Sequence, residues 1–144
     1  MLIKSVAVLI ATSMIALSTT ATAQSAPAGM CQIFRDFDYK TPMGNVVGNQ
    51  KSGDAVIFAD QASAPKNLVE FLEKKVGYRV FYDKKHANSL SSVKVGKGCT
   101  AEFHNSLSVQ QGSVMPFATY TSDTPQFSAA NNDKAQMVIC RCAK

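Results

Sequence analysis

Tryptophan is absent from the 144 residues, histidine occurs twice, and no Gly-x-Ser-x-Gly sequence occurs anywhere. The missing elbow removes the commonest hydrolase signature. His86 and His104 are the only histidines, and a Ser–His or Cys–His pair needs a free nucleophile beside such a base. No aromatic–basic cluster suggests nucleic acid as a partner. Acidic residues number 10 against 15 basic ones, for a formal charge of +5. That mild excess favours acidic partners or anionic surfaces. Beyond the N-terminus no apolar run approaches the roughly 20 residues that span a bilayer, so no transmembrane segment is expected in the mature chain.

What is present begins with a leader. Lys4 supplies a positive start, Val6 to Leu17 is apolar but for Thr12 and Ser13, and Ala21-Thr-Ala23 offers a small-x-small cleavage site. Residues 1–23 read as a secretory signal peptide, too short in their apolar part for an anchor. The mature domain is then 24–144, exported to the periplasm or beyond, and large enough for one modest core.

All four cysteines, Cys31, Cys99, Cys140 and Cys142, fall in that mature part. An even count in a small exported domain indicates disulfides. A Cys140–Cys142 bond would close a very small ring between side chains on one face of a strand, which bridge geometry fits badly. Cys31 and Cys99 are therefore each expected to bond one member of the terminal Cys-Arg-Cys, in either pairing. A zinc site would need a second close pair of ligands.

The chain also matches itself. Cys31 precedes Gly44 by the same interval as Cys99 precedes Gly112, and a small polar residue and Val follow each glycine. Further on, Asn88-Ser-Leu-Ser-Ser-Val-Lys-Val95 lines up with Asn132-Asp-Lys-Ala-Gln-Met-Val-Ile139. Two copies of one supersecondary unit explain both matches, motif one over about 31–95 and motif two over about 99–142.

Strand-like runs are expected at Ile33–Tyr39, Val46–Val47, Ala55–Phe58, Tyr78–Tyr82, Ser92–Val95, Cys99–Phe103, Val114–Tyr120 and Gln136–Cys142, with turns between them. Thr41-Pro-Met-Gly44 reads as a turn. Ser63 to Val76 breaks the rhythm. Leu68, Phe71, Leu72 and Val76 share a helical face, Ser63 is a candidate cap, and Gly77 is a natural stop. His104 follows the inward-facing Phe103 and is expected to face solvent.

On these residues the chain resembles the βγ-crystallin family of double Greek keys. Phe34 or Phe37 with Gly44, and Phe103 with Gly112, stand in the family's aromatic–glycine hairpin positions, and Asn88 to Val95 matches its Asn-rich loop and Ser-Ser-Val-x-Val strand. The stretch from Asn88 through Cys99 to Cys142 is also similar to the syncollin family of secreted proteins. The resemblance implies an all-β fold, two Greek-key motifs packed as a sandwich, here with one inserted helix and two disulfides. It implies no enzyme but a binding module, with protease inhibition as one role and calcium- or membrane-surface-associated structure as the other.

The family's calcium loops correspond here to Ala87-Asn88-Ser89-Leu90-Ser91-Ser92 and Asn131-Asn132-Asp133-Lys134-Ala135-Gln136. Asn88, Ser91, Ser92, Asn131, Asn132 and Asp133 are thus weak calcium candidates. The first loop has Ala where an acid or amide belongs, the second lacks the Ser/Thr ending, and hard cations want several charged oxygens. The alternative is a turn that caps a hairpin. A second candidate is basic: Lys74, Lys75, Tyr78, Arg79, Tyr82, Lys84 and Lys85, with few acids among them, form either a docking face for a protein or envelope surface or an ordinary solvated face. Gly48–Asp54, Lys84–Ser89 and Thr121–Asp133 are the loops an inhibitor would use.

Overall fold

The computed structural model describes residues 24–48 and 53–143; the leader, 1–23, lies outside them. Among the described residues eight strands form two sheets. The first holds β1 (Met30–Phe34), β2 (Pro42–Val47) and β5 (Ser92–Val95), in the order β2-β1-β5. The second holds β3 (Asp54–Ile57), β4 (Arg79–Tyr82), β6 (Cys99–His104), β7 (Ala118–Tyr120) and β8 (Met137–Cys142), in the order β4-β3-β8-β6-β7.

This order is that of an interlocked double Greek key. β1, β2 and β5 build one sheet, while β3 leaves them to pair antiparallel with β8 of the second motif. The reciprocal strand of motif two has shrunk to one bridge, Thr124 to Val93. Pro125 follows at once and has no N–H to continue a ladder.

Alternation explains the sandwich. Cys31 and Ile33 of β1 and Val93 and Val95 of β5 face inward on their paired registers. Ala101, Phe103, Val138 and Cys140 answer them from the second sheet. β8 is buried along nearly its whole length, with Val138 and Cys140 in the inter-sheet core and Met137 and Ile139 on the other side. A strand covered on both faces carries a continuous apolar run rather than an alternating one.

That other side is covered by the insertion. Helix α1 (Lys66–Glu70) continues as a π-helical stretch, Phe71–Val76, and ends at Gly77, whose φ of 85° suits a residue without Cβ. Leu68 and Leu72 are fully buried against Ala55, Ile57, Met137 and Ile139 in a second core. The expected cap is corrected: Ser63 sits in a turn, its N–H bonded to Asp60 O, and Pro65 precedes the first helical residue. Beyond the helix β4 pairs parallel to β3, so the insertion is a βαβ unit, helix and strand together, because parallel neighbours need a crossover.

Three further expectations are corrected. β1 ends at Phe34, and Phe37–Tyr39 is a 3-10 turn rather than strand. Gly44 is not a turn residue: it lies within β2 opposite Ile33, and the chain reverses instead through Asp38, Tyr39 and Thr41, all at positive φ. Ladder pairing also shifts the repeat. Cys31 pairs with Val95 as Ala101 pairs with Cys140, so Ala101, not Cys99, occupies the place of Cys31.

Candidate binding surfaces

The cysteines form two bonds, Cys31–Cys140 and Cys99–Cys142, as expected, with one of the two open pairings selected. Cys99 and Cys142 are direct neighbours on the β6–β8 ladder. Cys31 reaches Cys140 across the interior. The sulfurs of Cys99, Cys140 and Cys142 converge, but all are oxidised, so no thiolate remains to bind a metal.

His104 does not face solvent. Alternation does turn it away from the inter-sheet core, but that face is itself covered by the second core, and the residue is fully buried. Both ring nitrogens lack a hydrogen-bond partner. Glu102, on the same face, lies 3.8 Å from His104 Nε2 and accepts a hydrogen bond of 2.8 Å from Arg141 Nε. Arg141 Nη1 in turn donates to the Tyr78 hydroxyl at 2.8 Å. Burial pushes the Glu102 carboxyl up, and His104 and Arg141 together more than reverse it, leaving it below its ordinary value. At 3.8 Å His104 is an electrostatic neighbour, so the Arg141 contact dominates. Burial raises the Tyr78 hydroxyl.

Tyr78 is thereby removed from the basic face: it is 6% exposed and inside the second core. Arg79 is held by Asp54 at 2.7 Å, Lys84 by Asp60 at 2.6 Å and Lys74 by Glu70 at 3.3 Å. The Asp60 carboxylate raises Lys84 further above the ordinary lysine range. Tyr82 is half-buried, and Lys75 and Lys85 are exposed. The face is thus an ion-paired surface rather than an open field of positive charge.

The calcium candidates are dispersed. Asn88 is exposed, and the Ser92 hydroxyl donates to Asp36 O. Asn131 donates to the Tyr120 hydroxyl, and Asn132 Nδ2 to Asp133. The two loops do meet, through Asp133 N–H on Leu90 O. Ser91 N–H bonds Phe34 O as Gln136 N–H bonds His104 O. Gln136 and buried Met137 therefore stand where the first loop has Ser91 and Ser92. Asn132 Oδ1 is buried without a partner, yet Asp133 alone brings a carboxylate to this loop and Lys134 adjoins it. These residues do not fit a calcium site.

The connection between β6 and β7 was not among the expected loops. It reverses at Gln110–Ser113, which exchange two backbone hydrogen bonds, with Gln111 and Gly112 at positive φ. Val114 is buried and Phe117 N–H bonds Phe103 O at 2.8 Å. Met115, between them, is 69% exposed, the most exposed large apolar side chain among the described residues. Expecting strand over Val114–Tyr120 concealed it. Pro116 was the available signal, since a residue without N–H seldom lies inside a ladder. A depression of about 360 Å³ separates this connection from the helix, lined by Phe71, Lys74, Lys75 and Val109. Of the expected loops, 84–89 opens on a 3-10 turn, Lys84–His86, where His86 Nδ1 bonds the Asp83 carboxylate at 2.7 Å. The 121–133 loop is pinned by the Thr124 bridge and by buried Phe127; 49–52 lie outside the described residues. Among the described residues no helix is long and apolar enough to cross a membrane.

No family model matches the chain, and no curated protein does. Solved βγ-crystallin domains are similar in fold. The domain from Clostridium beijerinckii is 19% identical, with 78% of this chain and 97% of that one covered at a TM-score of 0.43. The N-terminal domain of protein S is 12% identical over 79% and 97%, at 0.46. The domain from Flavobacterium johnsoniae is 15% identical over 78% and 93%, at 0.42.

Proposed function

We propose that the protein is an exported, non-enzymatic binding module that engages another protein through the β6–β7 connection. Met115 is the observation that carries this reading. Met115 stands 69% exposed between two tied points, the buried Val114 before it and Phe117, bonded to Phe103 O, two residues on. A loop held in one conformation loses little entropy on binding, and a flexible thioether adapts to varied pockets. The leader and the two disulfides support an oxidising, extracytoplasmic setting.

Protease inhibition is the finer form of the same reading, with the loop lying in a protease cleft and Met115 in its main side-chain pocket. The test is a panel of metallo- and serine proteases assayed with the oxidised protein. Slowed turnover at micromolar protein, lost on Met115→Asp with the fold intact by circular dichroism, supports inhibition. Absence of inhibition, together with no Met115-dependent partner in pull-downs from envelope and extracellular extracts, overturns the module reading itself.

A further inference from the structure

β4 ends the five-stranded sheet and has β3 on one side only. In a parallel pair, alternate residues turn both backbone groups toward the neighbour. Arg79 N–H bonds Gly53 O and Asp83 N–H bonds Ile57 O, so the odd-numbered residues face β3. Val80 and Tyr82 then present their N–H and C=O outward. Among the described residues no hydrogen bond reaches that edge. Arg79 and Phe81 point to the side not covered by the helix; Phe81 is 46% exposed and Arg79 lies over its ring. Lys side chains often guard such an edge; β4 carries none, and its one charged side chain, Arg79, is already paired with Asp54.

We propose that two copies of this chain pair antiparallel through β4, about a two-fold axis at Phe81. The register follows from the backbone. Only with Val80 opposite Tyr82 of the other copy do both outward residues exchange hydrogen bonds, four in all. Centring the axis on Val80 instead sets Tyr82 against Tyr78, whose N–H is already given to Leu72 O. Centring it on Tyr82 sets Val80 against Lys84, where the 3-10 turn begins.

Side chains agree with that register on both faces. Phe81 meets Phe81 in a non-hydrogen-bonded pair, the closer kind. Arg79 falls opposite Asp83 of the second copy. Its guanidinium has donors to spare, because Asp54 takes only Nε and Nη2 on a single oxygen. Asp83 likewise offers Oδ1, since His86 occupies Oδ2. On the helix side Val80 meets Tyr82, a β-branched–aromatic pair. The same strand serves both copies, so the contact closes at two and does not propagate. A four-residue edge makes a small interface, so the dimer is reversible.

Sedimentation equilibrium of the oxidised protein between roughly 1 and 500 µM tests this. The expected result is a monomer–dimer equilibrium. Phe81→Asp, which sets two carboxylates face to face, and Tyr82→Pro, which deletes a solvent-facing N–H, each raise its dissociation constant about tenfold or more. Melting at low concentration checks that each variant folds. Hydrogen exchange of the wild type needs no variant: the Val80 and Tyr82 amides slow as concentration rises. A monomer at every concentration overturns the proposal. So does a dimer indifferent to both folded variants, or one in which those two amides exchange unchanged.

Discussion

Cys31 and Cys140 are joined through the interior, linking β1 of one sheet to β8 of the other across a sequence separation of 109. Cys99 and Cys142, separated by 43, join two strands that already share a ladder. The two bonds therefore have different work to do. The first clamps the sheets together, and the second reinforces an existing pair.

Loop closure predicts their ranking. In the entropic account the longer loop is worth about 5 kcal/mol and the shorter about 4 kcal/mol. Replacing Cys31 and Cys140 together by Ala is expected to lower unfolding free energy more than replacing Cys99 and Cys142. Urea unfolding of both double variants measures the difference. Equal losses would mean that sheet clamping adds nothing.

Glu102 sets a limit on the acid side. Its folded carboxyl is held below the ordinary value by Arg141 and His104 against the opposing effect of burial. A depressed carboxyl contributes stability that is complete above the unfolded value, near 4.3, and is lost as pH falls through the folded one. Glu102→Gln should cost about 1–2 kcal/mol at neutral pH. The gap between wild type and variant should close as the pH drops below about 4. Thermal melts of both proteins from pH 7 to pH 3 follow it, and a gap constant with pH would refute the assignment.

The inserted helix is predicted to be part of the stable core rather than an appendage. Leu72 is fully buried against the outer face of the second sheet. Leu72→Ala leaves a cavity there, and losses of about 2–5 kcal/mol are typical. One cooperative urea transition, shifted to lower denaturant, is expected. Two transitions would show that the βαβ unit unfolds separately.

Local patterns in the chain carried much of the architecture. The alternation in β5 and β6, the apolar face of the helix, its stop at Gly77 and the reach of Cys31 and Cys99 toward the C-terminus could all be read from neighbouring residues. What escaped depends on distant partners. Nothing near Arg79–Tyr82 signals that the strand pairs parallel to β3. His104 alternates outward as it should, and only the second core laid over that face, built from the helix at 66–76 and from Leu107, Val109 and Val114 of the β6–β7 connection, makes outward mean buried. The self-match set Cys99 on Cys31 because cysteines are conspicuous, whereas the ladder sets Ala101 there. Met115 was hidden by an apolar run whose end Pro116 marks. At the site level the cysteines were legible, while the basic face was not, because its acids Asp54 and Asp60 come from other elements.

Gly48 shows how closely the second disulfide is fitted. Its N–H bonds Gly29 O at 2.8 Å and its C=O accepts Cys142 N–H at 2.7 Å, which ties the end of β2 to the last strand. A Cβ built there would overlap Cys142 Sγ and come within 3.0 Å of Cys140 Sγ, so both disulfides lie against the missing side chain. A sulfur held in a bond cannot rotate away as a free end could. Gly48→Ala is therefore expected to destabilise the protein by about 1–3 kcal/mol, as overpacking does. The Cys99→Ala/Cys142→Ala background removes the overlapping Sγ, and there the same substitution should cost clearly less. A double-mutant cycle in urea reads the coupling directly. If Gly48→Ala costs the same in both backgrounds, the glycine serves the backbone alone.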